Sequence, residues 1–158
     1  MKTYLIKIFF LFFVCICKPE ITISQINAYS FVQLDSLEKV KSKPIIVFIH
    51  TEWCKYCQQM QNTTFTNDSV INLLNSKFYF VNFDAEEKRI VKFNGHTFKY
   101  KPTGSDTGIH ELAEQLATVD RKISYPTFCF LNTKYEIIFQ YNQFLYTDDL
   151  LTILHRLK

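Results

Sequence analysis

Ile45-Ile46-Val47-Phe48-Ile49-His50-Thr51-Glu52-Trp53-Cys54-Lys55-Tyr56-Cys57 is the stretch on which the reading of the whole chain turns. Its first five residues are an unbroken apolar run rich in β-branched side chains, as expected of a strand buried on both faces. A helix is expected to begin near Cys54 and run through Met60. A cysteine pair at that junction has a physical logic, because the first N–H groups of a helix lack intrahelical partners and stabilise negative charge. Cys54 should therefore ionise more readily than a free thiol and act as the nucleophile. Cys57, one turn further in and more buried, suits the resolving role. Lys55 adds a positive charge whose effect solvent screens.

Working outward, Leu34, Leu37 and Val40 fall at helical spacing before Lys41-Ser42-Lys43-Pro44, so a short helix stopped by a proline precedes the strand. After the cysteine helix, a second short helix is expected over Asp68 to Leu74. Phe78-Tyr79-Phe80-Val81-Asn82-Phe83 reads as another buried strand ending at Asp84. Asn94-Gly95 is a strong two-residue turn signal and predicts a hairpin within Arg89 to Tyr100, followed by a loop at Pro102-Thr103-Gly104. Residues 89–107 thus look like an insertion ahead of the next helix, either a wall of the site or solvated decoration. Ile109, Leu112, Ala113, Leu116 and Ala117 share one helical face, with the helix ending near Asp120. Phe128-Cys129-Phe130-Leu131 and Tyr135 to Tyr141 make an antiparallel pair across Asn132-Thr133-Lys134. Thr147-Asp148-Asp149 caps a last helix carrying Leu150, Leu151, Leu154 and Leu157. The order predicts an α/β domain, a central mixed sheet flanked by helices on both faces, with an inserted hairpin.

The chain of 158 residues is 47% hydrophobic and 21% charged, enough for one core and too short for two ordinary domains. Its 18 basic and 15 acidic residues are interspersed, which argues against a phosphate-backbone binder and hence against nucleic acid as a partner. Lys2 and Lys7 precede an uncharged run from Ile8 to Cys17, short for a span of about 20 residues but suited to a signal-peptide core. Residues 1–24 are therefore expected to be a signal peptide and 25–158 the mature domain, with Thr22 and Ser24 as the small residues before the cut. Cleavage there removes Lys2, Lys7, Lys18 and Glu20 and leaves a net charge of +1 instead of +3. Cys15 and Cys17 follow Val14 and Ile16, not the small residue a bacterial lipid-attachment site has, and read as apolar filler. The protein is expected in the periplasm or otherwise exported, at a membrane only if the leader is retained as an anchor.

Val47 to Cys57, together with Tyr125-Pro126-Thr127, resembles the thioredoxin superfamily, closer to exported bacterial thioredoxin-like proteins than to cytosolic thioredoxin. The resemblance spans about residues 31 to 158 and implies a thioredoxin-like fold and thiol–disulfide oxidoreductase activity. It also implies that Pro126 is cis beside the cysteine pair, that Tyr125 and Pro126 contact substrate, and that Trp53 contacts partners or shields the disulfide. Protein dithiols or disulfides would be the substrates and a redox protein the partner, with no cofactor and no metal. Two departures stand out. Phe48 occupies the position where thioredoxins often bury an aspartate that accepts a proton, and Lys55-Tyr56 replaces Gly-Pro between the cysteines.

His50 and Glu52 are then the nearest ionisable groups in sequence. His50 at the strand end is either a proton shuttle to Cys57 or a packed residue, whereas Glu52 reads as a solvated loop residue. Cys129 is expected to be a buried free thiol, a third redox thiol being the weaker reading. His96, His110 and His155 read as surface residues. Zinc would need four ligands where only Cys54, Cys57 and His50 are at hand. Two rivals to the oxidoreductase stand: a redox-inactive thioredoxin-like binding module with a structural bridge, and a copper(I)-handling protein using the same pair.

Overall fold

Ser30 opens the first helix, α1 (Phe31–Val40), with a reciprocal capping box in which its hydroxyl accepts from the Gln33 N–H and the Gln33 side chain accepts from the Ser30 N–H. The computed structural model describes residues 25–157; the leader read over 1–24, with Cys15, Cys17 and the cut after Ser24, lies outside them. In chain order, β1 (Ile45–His50) leads to α2 (Lys55–Asn62), α3 (Asp68–Lys77) and β2 (Tyr79–Asp84). Four short strands follow, β3 (Val91–Phe93), β4 (His96–Phe98), β5 (Tyr100–Pro102) and β6 (Gly108–His110). Then come α4 (Glu111–Ala117), β7 (Thr118–Val119), β8 (Lys122–Ile123), β9 (Thr127–Leu131), β10 (Ile137–Tyr141) and α5 (Thr147–Leu157).

The central sheet has the order β10-β9-β1-β2. β2 runs parallel to β1, while β9 is antiparallel to β1 and β10 antiparallel to β9. All of Ile45 to Ile49 is buried, because alternate side chains enter two separate cores. Ile45, Val47 and Ile49 join Phe31 and Leu34 of α1 and Leu112, Ala113 and Leu116 of α4. Ile46 and Phe48 join Met60 of α2, Val70 and Leu74 of α3, and Leu150 and Leu154 of α5. One strand thus ties both layers together, and its C-terminal end delivers His50 to the rim where α2 begins.

The structure departs from the sequence reading where short-range polar contacts decide an element's end. Val40 is 87% exposed, so α1 has left the core by its last residue, and its C-terminal carbonyls on Leu37 and Lys41 are taken by the Tyr79 hydroxyl at 3.3 and 2.6 Å. The Asn94-Gly95 hairpin forms with both residues at positive φ. The loop expected at Pro102-Thr103-Gly104 is instead the tip of a second hairpin, β5 on β6, in which the Thr103 N–H donates to the Thr107 carbonyl at 2.8 Å. Gly108 permits that pairing, since a Cβ there would meet the Tyr100 ring and the Lys101 carbonyl. α4 starts two residues later than Ile109 and stops at Ala117, not near Asp120. Asp120 and Arg121, both at positive φ, turn the chain into the β7–β8 ribbon.

His110, read as a surface residue, is fully buried. It is the N-cap of α4: its Nδ1 accepts from the Leu112 N–H at 3.2 Å and its Nε2 donates to the Arg89 carbonyl at 3.2 Å. Both ring nitrogens are therefore satisfied by a neutral imidazole carrying its proton on Nε2. Sequence spacing missed this because histidine is an unusual helix cap. His96 and His155 are exposed.

Candidate functional site

Cys54 is the N-cap of α2, and its sulfur accepts a hydrogen bond from the Cys57 N–H at 3.1 Å. The same sulfur is bridged to Cys57, with the two Cα atoms 5.2 Å apart. The structure is thus the oxidised form of the pair. Cys54 is 5% exposed and Cys57 1%, so an incoming thiolate meets the Cys54 sulfur more readily. In the reduced form the N–H now directed at Sγ would stabilise a thiolate there, the local reason for assigning the nucleophile to Cys54.

Pro126 follows a cis peptide bond from Tyr125 and lies buried at the start of β9. Tyr125 meets the indole of Trp53 edge-on at 6.0 Å. Trp53 is 65% exposed, and its Nε1 donates to Glu86 Oε1 at 3.1 Å. Burial, reinforced by the Glu86 and Asp84 carboxylates, pushes the Tyr125 hydroxyl up to about 12, so the phenol stays protonated. Glu86 escaped the sequence reading. It lies just after β2, where no motif marks it, and only the parallel pairing of β1 with β2 brings that turn beside Trp53.

His50 sits at the last paired position of β1, in register with Asp84, and its ring stacks on Phe48 at 5.6 Å. Desolvation holds the His50 imidazole below its ordinary pKa, against the opposing pull of Asp84, the Thr51 backbone and Glu52. Phe48 itself is fully buried among Phe65, Phe80 and Phe128, an apolar cage in place of a carboxylate. Glu52 is exposed, although its carbonyl accepts from the Gln58 side chain at 2.6 Å. Cys129 is a buried free thiol. Its side chain packs in the core under α1 and α4 while Cys54 and Cys57 pack on the opposite face of the sheet, so the sheet separates it from the pair. Burial pushes the Cys129 thiol up to about 12.

Next to the pair, Tyr56, Tyr125, Pro126, Phe144 and Tyr146 line a groove of about 440 Å³. Within the insertion, Phe93 of β3 packs against Phe31 of α1 and Tyr135, on the other side of the sheet from α2, while Arg89, Ile90 and Val91 line a second pocket together with His50 and Asp84. Among the described residues, no group of three or more His, Cys, Asp or Glu converges as a metal site, and no helix is long and apolar enough to cross a membrane.

A parallel β1–β2 pair, a cysteine pair at the start of the helix after β1, and a cis-proline opening an antiparallel β9 together define a thioredoxin-like fold. Residues 33–158 match the thioredoxin-like domain family, and the chain belongs to it. Solved structures of similar fold include a thioredoxin from Thermus thermophilus, 20% identical with a TM-score of 0.58 over 84% of this chain and 86% of that one. A DsbH oxidoreductase is 15% identical with a TM-score of 0.57 over 90% and 94% of the two chains. The germline-specific thioredoxin Deadhead from Drosophila melanogaster is 18% identical, with a TM-score of 0.53 over 84% and 100%. At these identities the likeness shows the fold alone. A comparison with curated protein sequences found no match.

Proposed function

We propose that the protein is an exported thiol–disulfide oxidoreductase that exchanges disulfides with protein substrates through Cys54 and Cys57. The observation that carries the reading is the Cys54 sulfur at the helix N-cap, bridged to Cys57 and bonded by the Cys57 N–H. In the reducing direction, the Cys54 thiolate attacks one sulfur of a substrate disulfide, and the displaced substrate thiolate takes up a proton. The mixed disulfide lies beside Trp53, Tyr125 and Pro126. Cys57, having given up its proton, then attacks the Cys54 sulfur, which forms the intramolecular bridge and releases the second substrate thiolate. The substrate gains two electrons and the pair loses them; a reduced redox partner returns them. Run backwards, the same steps oxidise a substrate dithiol.

His50 is the proposed proton shuttle to Cys57, since the cage around Phe48 offers no carboxylate and a neutral imidazole accepts a proton at neutral pH. Export rests on the composition of residues 1–24. Two experiments test these points. With a disulfide-bridged peptide as substrate and dithiothreitol as terminal reductant, Cys54→Ser should abolish turnover, and Cys57→Ser mixed with the peptide without dithiothreitol should accumulate the mixed disulfide; an unaltered chain that turns the peptide over no faster than Cys54→Ser is a binding module with a structural bridge. Fractionation of expressing cells should place the protein outside the cytoplasm with Gln25 at its N-terminus, and a cytoplasmic full-length chain would overturn export. The direction of flow is expected to be reducing or intermediate, and equilibration of the pair against glutathione buffers measures it. A copper(I)-handling protein would instead bind that ion stoichiometrically through the reduced pair.

A further inference from the structure

β1 and β2 end side by side. His50 and Asp84 are the last paired residues of the two strands, and register partners in a parallel pair lie on strands about 4.8 Å apart with their side chains on one face. That face is the one that holds the cysteines, because the His50 ring stacks on Phe48, which shares a buried cluster with Cys54 and Cys57. His50 and Asp84 are both half-buried, and both open into a second pocket of about 370 Å³ at the edge of the sheet. Its walls are Tyr29 and Val32 around the start of α1, and Arg89, Ile90 and Val91 at the base of the insertion.

Among the described residues, this pocket and the groove beside the cysteines share no lining residue. A polypeptide joined to Cys54 covers its side of the pair and excludes water there, yet Cys57 must lose a proton at that stage before it attacks. The packed rings of Phe48, Phe65, Phe80 and Phe128 close the route through the core. The edge of the sheet stays open. Once the Tyr29 N–H has bonded to the Phe80 carbonyl, the chain turns into α1 and leaves Asn82 exposed on the pocket wall.

We propose that the second pocket is a proton door separate from the substrate face, through which His50, backed by the Asp84 carboxylate, exchanges the Cys57 proton with solvent water. The proposal deepens the redox reading, on which it rests for the proton to be moved. In the reducing direction the Cys57 S–H bond breaks and its proton goes to the imidazole. The thiolate keeps the electron pair with which it attacks the Cys54 sulfur. The imidazolium, stabilised by the nearby carboxylate, then gives the proton to water and returns to the neutral form. Asp84 acts through His50 and is a positioning residue. The other charged groups about His50 are Glu52 from the turn after β1, and Glu87 with Arg89 from the segment after β2, while Tyr29 contributes a phenol. Glu87 and Arg89 form an ion pair with each other, which leaves Asp84 as the charge that the pocket does not itself neutralise.

The test mixes the reduced mature protein with excess dithiodipyridine and follows thiopyridone by absorbance. One thiopyridone leaves when Cys54 attacks the reagent, and a second when Cys57 attacks Cys54. The second release is intramolecular, and its rate should rise with pH as His50 loses its proton. Asp84→Asn should move that inflection to lower pH and slow the plateau about threefold, since a weaker base takes the proton less readily. Asparagine keeps an oxygen to accept from the Glu86 N–H, as Asp84 does at 2.9 Å, so the turn survives and only the charge is lost. His50→Ala should slow the second release at least about tenfold at neutral pH, and free imidazole should restore it. On that background, Val32→Trp or Ile90→Trp should block the rescue by narrowing the pocket, whereas Val40→Trp, outside the pocket, should leave it whole. All three positions are exposed, and an unchanged thermal melt verifies folding. An inflection unmoved by Asp84→Asn, or a rescue that neither pocket substitution reduces, overturns the proposal. A second release at the normal rate in His50→Ala removes the door and spares the redox reading; an unaltered protein that gives a first release and no second removes both.

Discussion

Phe48 shows how a single side chain changes the surroundings of the cysteine pair without changing the fold. Its ring fills space among Phe65, Phe80 and Phe128 at centroid distances of 4.9, 6.5 and 5.1 Å. Truncating a fully buried phenylalanine costs about 3–5 kcal/mol, so Phe48→Ala should lower the unfolding free energy by that order in urea titrations; a loss below about 1 kcal/mol would mean the cage collapses freely. In the proposed mechanism, Phe48 therefore leaves the proton of Cys57 to another group. His50 stacks on the same ring, and its imidazole should titrate below 6.5 in an NMR pH series of the oxidised protein. A midpoint at or above 6.5 would show that Asp84 outweighs desolvation. Cys129, behind the sheet and pushed up to about 12, should resist alkylation by iodoacetamide in the folded protein and react only on unfolding. All three positions were visible in the sequence as residue types in an apolar run. Which face each side chain occupied was not, because a strand buried on both sides shows no alternation.

At the scale of the element, α4 illustrates a boundary that pattern alone could not locate. The apolar face from Leu112 to Ala117 was legible, yet the start depends on the His110 imidazole accepting from the Leu112 N–H, an uncommon cap with no sequence signature. His110→Ala leaves that buried N–H without its partner and removes the donor to the Arg89 carbonyl, so it should cost about 1–3 kcal/mol. His110→Asn supplies a favoured capping oxygen and should recover part of the loss. Equal stability of both variants would show that the cap contributes nothing. The β7–β8 ribbon escaped for a related reason: Asp120 and Arg121 adopt positive φ without glycine, held by Thr118 and Val119 pairing with Ile123 and Lys122.

Across the whole molecule, the long apolar strands and the cysteine motif made the sheet and the site readable, whereas the second hairpin of the insertion and the Glu86 contact required the assembled fold. The two partly and fully buried histidines also act together on stability. Burial lowers the pKa of His50 and of His110 below 6.5, in the latter case against the Arg89 backbone, Glu87 and Glu111. The unfolded chain therefore binds more protons than the folded one once the pH drops below about 6.5. Their contribution is fully present above that value and is lost as the pH falls toward the folded-state pKa values. Urea midpoints should consequently decline between pH 7 and pH 5, with a smaller decline in His110→Asn. A midpoint that rises on acidification would contradict both directions.

One backbone contact carries a further consequence. The His110 N–H donates to the Ala85 carbonyl at 2.7 Å, so the two ends of the hairpin-bearing segment meet at the rim of the sheet. A segment whose ends are already joined behaves as a removable cassette: residues can be added or taken away between them at an entropic cost that grows only with the logarithm of length. Its buried anchor is Phe93, wedged between Phe31 and Tyr135, with Val91 and Phe98 packed against the same core and Lys99 bonded to Glu111 of α4. Relatives or engineered forms with shorter or longer cassettes are therefore expected to keep the sheet and the cysteine pair intact, provided a bulky apolar residue still plugs the gap that Phe93 fills.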